Sequence, residues 1–239
     1  MSIAALARPI TRAPVVDITI PVFNEERVLA PAVRRLHAHL DGDFPYSTRI
    51  TIADSASTDG TAAQALKLAV ELPRVRFVRL NRKGKGRAVA ASWMTSDAHV
   101  VAYMDADLST DLSALLPLVA PIISGHSDVS IGSRSRRLGT SPGRSASREL
   151  PSLGCNLLLH IALGLRIEDV QSGFKAMRAD IARRLVPSVQ NRGRLFDTEL
   201  LVRVERAGLR VHYLAIDWVE DPDSRSHVIE SVSARPRPA

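Results

Sequence analysis

Two periodicities of apolar residues alternate along the first 133 positions of this chain. Short runs rich in Val, Ile and Ala fall at 15–22, 48–54, 75–80, 99–104 and 128–133, and read as buried strands. Between them apolar residues recur at helical spacing. The clearest case is 25–40, where Val28, Leu29, Ala32, Val33, Leu36 and Leu40 make one stripe. Further helices are expected at 61–72, 88–96 and 112–123. Strands alternating with helices at this spacing predict an α/β fold, with a mainly parallel sheet covered by helices on both faces.

The second half is less regular. Residues 134–152 are rich in Arg, Ser and Gly and predict a mobile loop. An apolar stretch at 153–165 predicts a helix. QSGFKAMRAD (171–180) reads as a short strand or turn followed by a helix, and FDTELLVRVERAG (196–208) as a helix ended by glycine. A late strand, expected at the sheet edge, covers 209–218. The organisation expected is a flexible arm over 1–14, one domain over 15–228 and a disordered tail over 229–239. Within that domain, 15–133 would be the regular half and 134–228 a smaller, less regular one.

In parallel sheets of this kind ligands collect outside the C-terminal ends of the strands. Those ends carry the polar clusters: Asn24 and Glu25, then Asp54, then NRKGKGR with Lys85, then Asp105 and Asp107, then Arg134. Asp105 and Asp107 are two apart, so in extended geometry both carboxylates face one side. A divalent cation such as Mg²⁺ or Mn²⁺ relieves that repulsion, although capping of the following helix also accounts for Asp107. Asp54 can accept hydrogen bonds from a nucleobase or ribose, or cap the helix after it. The glycines of NRKGKGR permit close backbone approach to a ligand, but the spacing is not that of a P-loop.

Charge sharpens the picture. The net charge is +7, which favours an anionic partner. The run GSRSRRLGTSPGRSASR holds Arg134, Arg136, Arg137, Arg144 and Arg148 without an acid, and arginine forks suit phosphate oxygens. A nucleic-acid groove is disfavoured by an aromatic content of 4% and the lack of a recognition motif. The single cysteine, Cys155, cannot make an internal disulfide and fits a reducing compartment. No window is apolar enough for a membrane span.

The blocks PVFNEE, IADSASTDGT, KGKGRA, YMDADLSTDL, IGSR, QSGFKA, FDTELL and DWVEDPDSR stand in the order seen in family 2 glycosyltransferases. The chain resembles the dolichol-phosphate mannose synthases, the dolichyl-phosphate glucose synthases and their bacterial polyprenyl-phosphate counterparts, over 15 to about 228. The resemblance implies a GT-A fold, a nucleotide-sugar donor, a divalent cation (Mg²⁺ or Mn²⁺) and a polyprenyl-phosphate acceptor. It implies that Pro21, Asn24 and Glu25 line the nucleotide pocket together with Lys85, and that Asp54 contacts the base. Asp105 would touch nucleotide or metal, and Asp107 would be the main metal ligand. Ser109 stands where relatives place a further metal ligand with an amide side chain. Arg134 and Arg148 would bind phosphates of donor or acceptor, Asp197 and Glu199 would lie near sugar or acceptor, and Arg225 would be a late basic contact.

The activity so implied is transfer of a hexose, mannose from GDP-mannose or glucose from UDP-glucose, to a polyprenyl or dolichyl monophosphate by a single inverting displacement. The acceptor implies peripheral contact with a membrane surface on its cytoplasmic face, with a separate membrane protein as a further partner. Transfer to a soluble or glycan acceptor is the second reading, and a non-catalytic nucleotide-sugar or nucleic-acid binding module the third.

Overall fold

Every residue of VDITIPV except Pro21 is buried, on both faces of the strand, which is the signature of a parallel sheet covered on two sides. A computed structural model of the chain describes residues 13–42, 44–108, 110–133, 172–193 and 195–216. Most of the N-terminal arm, the loop expected at 134–152, the helix expected at 153–165 and the tail therefore lie outside the described residues. So do Cys155, Ser109, Arg134, Arg148 and Arg225.

The elements are β1 Val16–Val22, α1 Leu29–Gly42, β2 Thr48–Ser55, α2 Thr61–Glu71, β3 Val75–Leu80, α3 Lys85–Thr95, β4 Val100–Tyr103, α4 Leu115–Ile123, β5 Val129–Ser133, β6 Lys175–Arg178, α5 Ala179–Leu185, α6 Phe196–Arg206 and β7 Val211–Ala215. The strands form one sheet in the order β3-β2-β1-β4-β6-β5-β7. β1 is parallel to β2 and β4, β2 to β3, and β5 to β7. Only β6 runs against its neighbours β4 and β5.

Side chains alternate between two cores. Val100 and Ala102 of β4 pack with α1, α2 and α4, through Leu29, Val33, Leu68, Leu115 and Leu118. Val101 and Tyr103 pack on the other face with α3, α5 and α6, through Val89, Trp93, Ile181, Leu200 and Val204.

Several expected boundaries move, two of them beside the strand ends. The helix expected from 25 begins at Leu29, because Glu25 to Val28 form a turn closed by bonds from the Val28 and Leu29 amides to the Glu25 carbonyl. The helix expected from 88 begins at Lys85, so half of the basic glycine loop is a first helical turn.

A candidate active site at the strand ends

The turns after β1 and β2 are stapled to each other. The Asn24 amide donates to Ser57 Oγ (2.9 Å) and Asn24 Oδ1 accepts from the Thr58 amide (2.8 Å). The Glu25 amide donates to Thr61 Oγ1 (2.8 Å), and Glu26 accepts from the Gly60 amide (3.0 Å). Asn24 and Ala56, just after β1 and β2, and Leu108, five residues beyond β4, all have positive φ (57°, 67° and 47°). Such backbone strain in non-glycine residues persists only where the surroundings enforce it.

Asp54 is fully buried. Its Oδ1 accepts from the amide (2.9 Å) and hydroxyl (2.5 Å) of Ser57. Its Oδ2 has no hydrogen-bond partner, with Arg79 Nε at 3.7 Å. A buried carboxylate oxygen without a donor is costly. It is the kind of acceptor that an N–H of a nucleobase satisfies.

At the end of β4, Asp105 Oδ1 accepts from Lys85 Nζ at 2.6 Å. Burial acts to lower the Lys85 pKa, but the carboxylates of Asp105, Asp197 and Asp107 outweigh it and hold the ammonium above its ordinary value. Glu25 lies in the same field. Burial, then Asp107, Asp59 and Asp105, push its carboxyl above the usual range. Glu25, Asp105 and Asp107 therefore share one negative region. Gly173, just before β6, forms the wall behind Asp105: a Cβ there would lie 1.9 Å from Asp105 Oδ2.

The glycines of the basic loop permit close approach, and in this structure the chain itself approaches them. Gly84, at φ +149°, admits the Arg192 carbonyl, which would lie 2.7 Å from a Cβ. Gly86 admits Phe196, whose Cβ would lie 2.2 Å from one. Both glycines permit approach of the chain before and within α6.

Asp197 and Glu199 are two apart on α6, and their partners differ. Asp197 is buried, accepts from the Tyr103 hydroxyl and has Lys175 Nζ at 3.5 Å. Lys175 is 2% exposed and also donates to the Ser172 carbonyl and the Tyr103 hydroxyl (3.3 Å). Lys175 stands opposite Tyr103 across the β4–β6 ladder. Sequence reasoning missed Lys175 and Tyr103. The available signal was a lysine inside the otherwise apolar run GFKAM. Glu199 instead accepts from the amides of Gln190 (2.9 Å) and Asn191 (2.7 Å) and pairs with Arg203 (2.5 Å). It lines a groove with Thr198, Leu195 and Val202, none of whose lining residues comes from a strand end. Pro21, at the end of β1, is half-buried.

Among the described residues no three His, Cys, Asp or Glu side chains form a metal cage. The donor chemistry still suits a hard divalent cation. Mg²⁺ is typically held by one or two carboxylates, with phosphate and water oxygens completing the shell. Burial and then the neighbouring carboxylates raise the Glu25 pKa, and a cation relieves the second of these. Also among the described residues, no helix is long and apolar enough to cross a membrane.

Comparison with known proteins gives the family and the fold. The family model described as glycosyl transferase family 2 matches residues 17–186. Glycosyltransferase AglD of Haloferax volcanii is 30% identical over 95% of this chain and 38% of its own length. Dolichyl-phosphate beta-glucosyltransferase ALG5C of Trichomonas vaginalis is 28% identical over 87% and 65%. Undecaprenyl-phosphate mannosyltransferase of Micrococcus luteus is 30% identical over 84% and 82%. The chain thus spans well under half of the first of these relatives and most of the third. Among solved structures, glucosyl-3-phosphoglycerate synthase of Mycobacterium tuberculosis, in complex with Mn²⁺, UDP and glucosyl-3-phosphoglycerate, superposes with a TM-score of 0.59. It has 21% identity and covers 87% of this chain and 73% of that one. That likeness establishes the α/β fold expected from the sequence.

Proposed function

Because this chain belongs to glycosyl transferase family 2, we propose that it transfers a hexose from a nucleotide sugar to the phosphate of a polyprenyl monophosphate. The observation that carries the reading is the meeting of Asp105, Asp107, Glu25 and Lys85 outside the sheet, beside a buried Asp54 with an unpartnered oxygen. The acceptor class is supported by relatives whose names specify dolichyl or undecaprenyl phosphate.

In this reading Asp54 Oδ2 accepts from the donor's base, and Pro21, Asn24 and Glu25 border the nucleotide. Asp107, with Asp105, would hold Mg²⁺ or Mn²⁺. Bound there, the cation supplies stabilisation of the negative charge on the leaving diphosphate. Lys85, kept charged by its carboxylate neighbours, contributes a second positive group beside the same oxygens. Arg134 and Arg148 would bind donor or acceptor phosphates, and Arg225 would make a late contact. Ser109 would complete the metal shell directly or through water.

The acceptor is a phosphomonoester with a second pKa of about 6, so near neutral pH it is already largely a dianionic nucleophile. An acceptor phosphate oxygen forms a bond to the anomeric carbon as the bond to the nucleoside diphosphate breaks. The electron pair departs with the diphosphate and the configuration inverts. No general base is required. A polyprenyl acceptor puts the reaction at a membrane surface, and the cytoplasmic face is part of the proposal.

The test uses radiolabelled UDP-glucose and GDP-mannose with polyprenyl phosphate in detergent micelles, with and without EDTA. Label should enter the organic phase only in the presence of Mg²⁺ or Mn²⁺, and Asp107→Ala should lower the rate by about 10²-fold or more. Label that stays in water on a soluble acceptor, or an Asp107→Ala protein with near-normal transfer, refutes the reading.

A further inference from the structure

Glu199 and the strand-end carboxylates are connected by a chain of contacts that runs through backbone. Glu199 Oε1 and Oε2 accept from the Gln190 amide (2.9 and 3.0 Å), and Oε2 from the Asn191 amide (2.7 Å). These bonds, together with Arg203, hold its carboxyl below the usual range against the opposing effect of burial. The next residue of the same loop, Arg192, presents its carbonyl to the Arg87 amide at 2.9 Å and packs against Gly84. Phe196, at the start of α6, closes on Gly86. Gly84, Gly86 and Arg87 surround Lys85, whose ammonium meets Asp105 at 2.6 Å.

We propose that Glu199 is a positioning residue. It holds the 189–193 loop against the first turn of α3 and thereby sets where Lys85 meets Asp105. Lys85 has a long side chain that is over a third exposed. Its reach is defined only if the turn that carries it is fixed. α3 has no side-chain cap, so the Arg192 carbonyl stands in for one. A carboxylate on α6 thus acts on the donor site without touching sugar or acceptor. This differs from the place near sugar or acceptor that the family resemblance implies for Glu199. The kinetic arm of the test rests on the proposed transferase reading, and the exchange arm does not.

The Arg87 amide is a clean reporter. It is among the first amides of a helix, which lack intrahelical partners. Its bond to the Arg192 carbonyl is thus its source of protection. The next amide, Ala88, bonds to the Gly84 carbonyl (3.0 Å) within the same turn and serves as the control. Amide exchange should be measured on the whole chain as wild type, Glu199→Ala and Glu199→Gln. Arg87 should exchange at least tenfold faster in Glu199→Ala and Ala88 much less so. Glu199→Gln, which keeps one acceptor oxygen, should fall between.

In the second arm, kcat/KM and the affinity for UDP and GDP with Mn²⁺ are measured for Glu199→Ala, Lys85→Ala and the double variant. Glu199→Ala should lower kcat/KM about tenfold, the size of one interaction energy between coupled residues. The double variant should be no worse than Lys85→Ala alone. Unchanged Arg87 exchange, or losses that multiply in the double variant, overturn the proposal. Multiplied losses would return Glu199 to direct substrate contact. If Glu199→Ala does not fold, Glu199→Gln carries both arms. If no variant binds nucleotide or transfers sugar, the transferase reading fails while the exchange result still decides the latch.

Discussion

Replacing Lys175 with methionine isolates the electrostatic part of the buried network under the site. Methionine fills much the same volume as the lysine stem, so the loss is mainly the ammonium. At 2% exposure that ammonium lies beside Asp197, which also interacts with the Lys85 ammonium, and it donates to the Ser172 carbonyl. Breaking a buried pair by removing one partner costs about 3–5 kcal/mol, because it strands a charge. Asp197 keeps the Tyr103 hydroxyl, and its place in the first turn of α6 offsets part of the cost, by about 0.3–1 kcal/mol. The lower end, about 3 kcal/mol, is therefore expected. For a chain of this size that is roughly 6–12 °C in Tm. Urea titration followed by tryptophan fluorescence suits the measurement, since Trp93 packs 5.9 Å from the Tyr103 ring. Adding Asp197→Asn should recover part of the loss, since it removes the stranded charge. A fall below about 1 kcal/mol, or a double variant less stable than the wild type by the full sum of the two single costs, would refute the assignment of Lys175 as a charge partner of Asp197.

Gly173→Ala should leave the fold intact but displace the Asp105 carboxylate, lowering kcat by about tenfold or more; crystallography of the variant would show whether Asp105 has moved. Glu25→Gln should raise Tm at pH 7 and leave it unchanged near pH 4. The folded-state pKa of Glu25 is raised above 4.5, so its ionisation penalises the fold only as pH climbs through and past that value; equal Tm changes at both pH values would contradict this. Arg49→Met should cost about 3 kcal/mol by stranding Asp17, which is 1% exposed, while kcat below the melting transition stays unchanged. Parallel denaturation and transfer assays separate the two effects.

Periodicity carried β1 to β5 and their helices because each pairs a buried face with a local repeat, and it also marked 171–180 as a short strand or turn before a helix. Periodicity does not encode partners. Nothing in QSGFKAMRAD says that β6 runs antiparallel between β4 and β5, a pairing of segments far apart in the chain. Lys175 was hidden for that reason, since its counter-charge comes from α6 and its hydroxyl partner from β4. Asp17 and Arg49 are the same kind of case. Each is the second residue of its strand, and parallel register makes them Cα partners. The carboxylates at the strand ends were legible because position after a strand is a local property. Where Glu199 goes was not, because that depends on the loop it bonds.

The two ends of the sheet treat acids in opposite ways. At the N-terminal ends of the parallel strands, Asp17 is bound by Arg49, Thr51 and Ser96, and Asp128 by Arg178 and Arg210. Burial or solvent screening is matched there by a donor for each oxygen. At the opposite end burial and the carboxylates of Asp107, Asp59 and Asp105 raise the cost of ionising Glu25, and Lys85 is held charged by Asp105, Asp197 and Asp107. A chain of net charge +7 thus gathers carboxylates where the proposed anionic donor would bind. A nucleoside diphosphate arriving alone meets that repulsion, whereas one arriving with a divalent cation removes it. Nucleotide affinity should therefore rise steeply with Mn²⁺, and Glu25→Gln should flatten that dependence by lowering the charge the cation must offset. Titration of UDP and GDP at several Mn²⁺ concentrations reads this coupling, and affinity that does not change with Mn²⁺ would mean the strand-end carboxylates do not border the diphosphate.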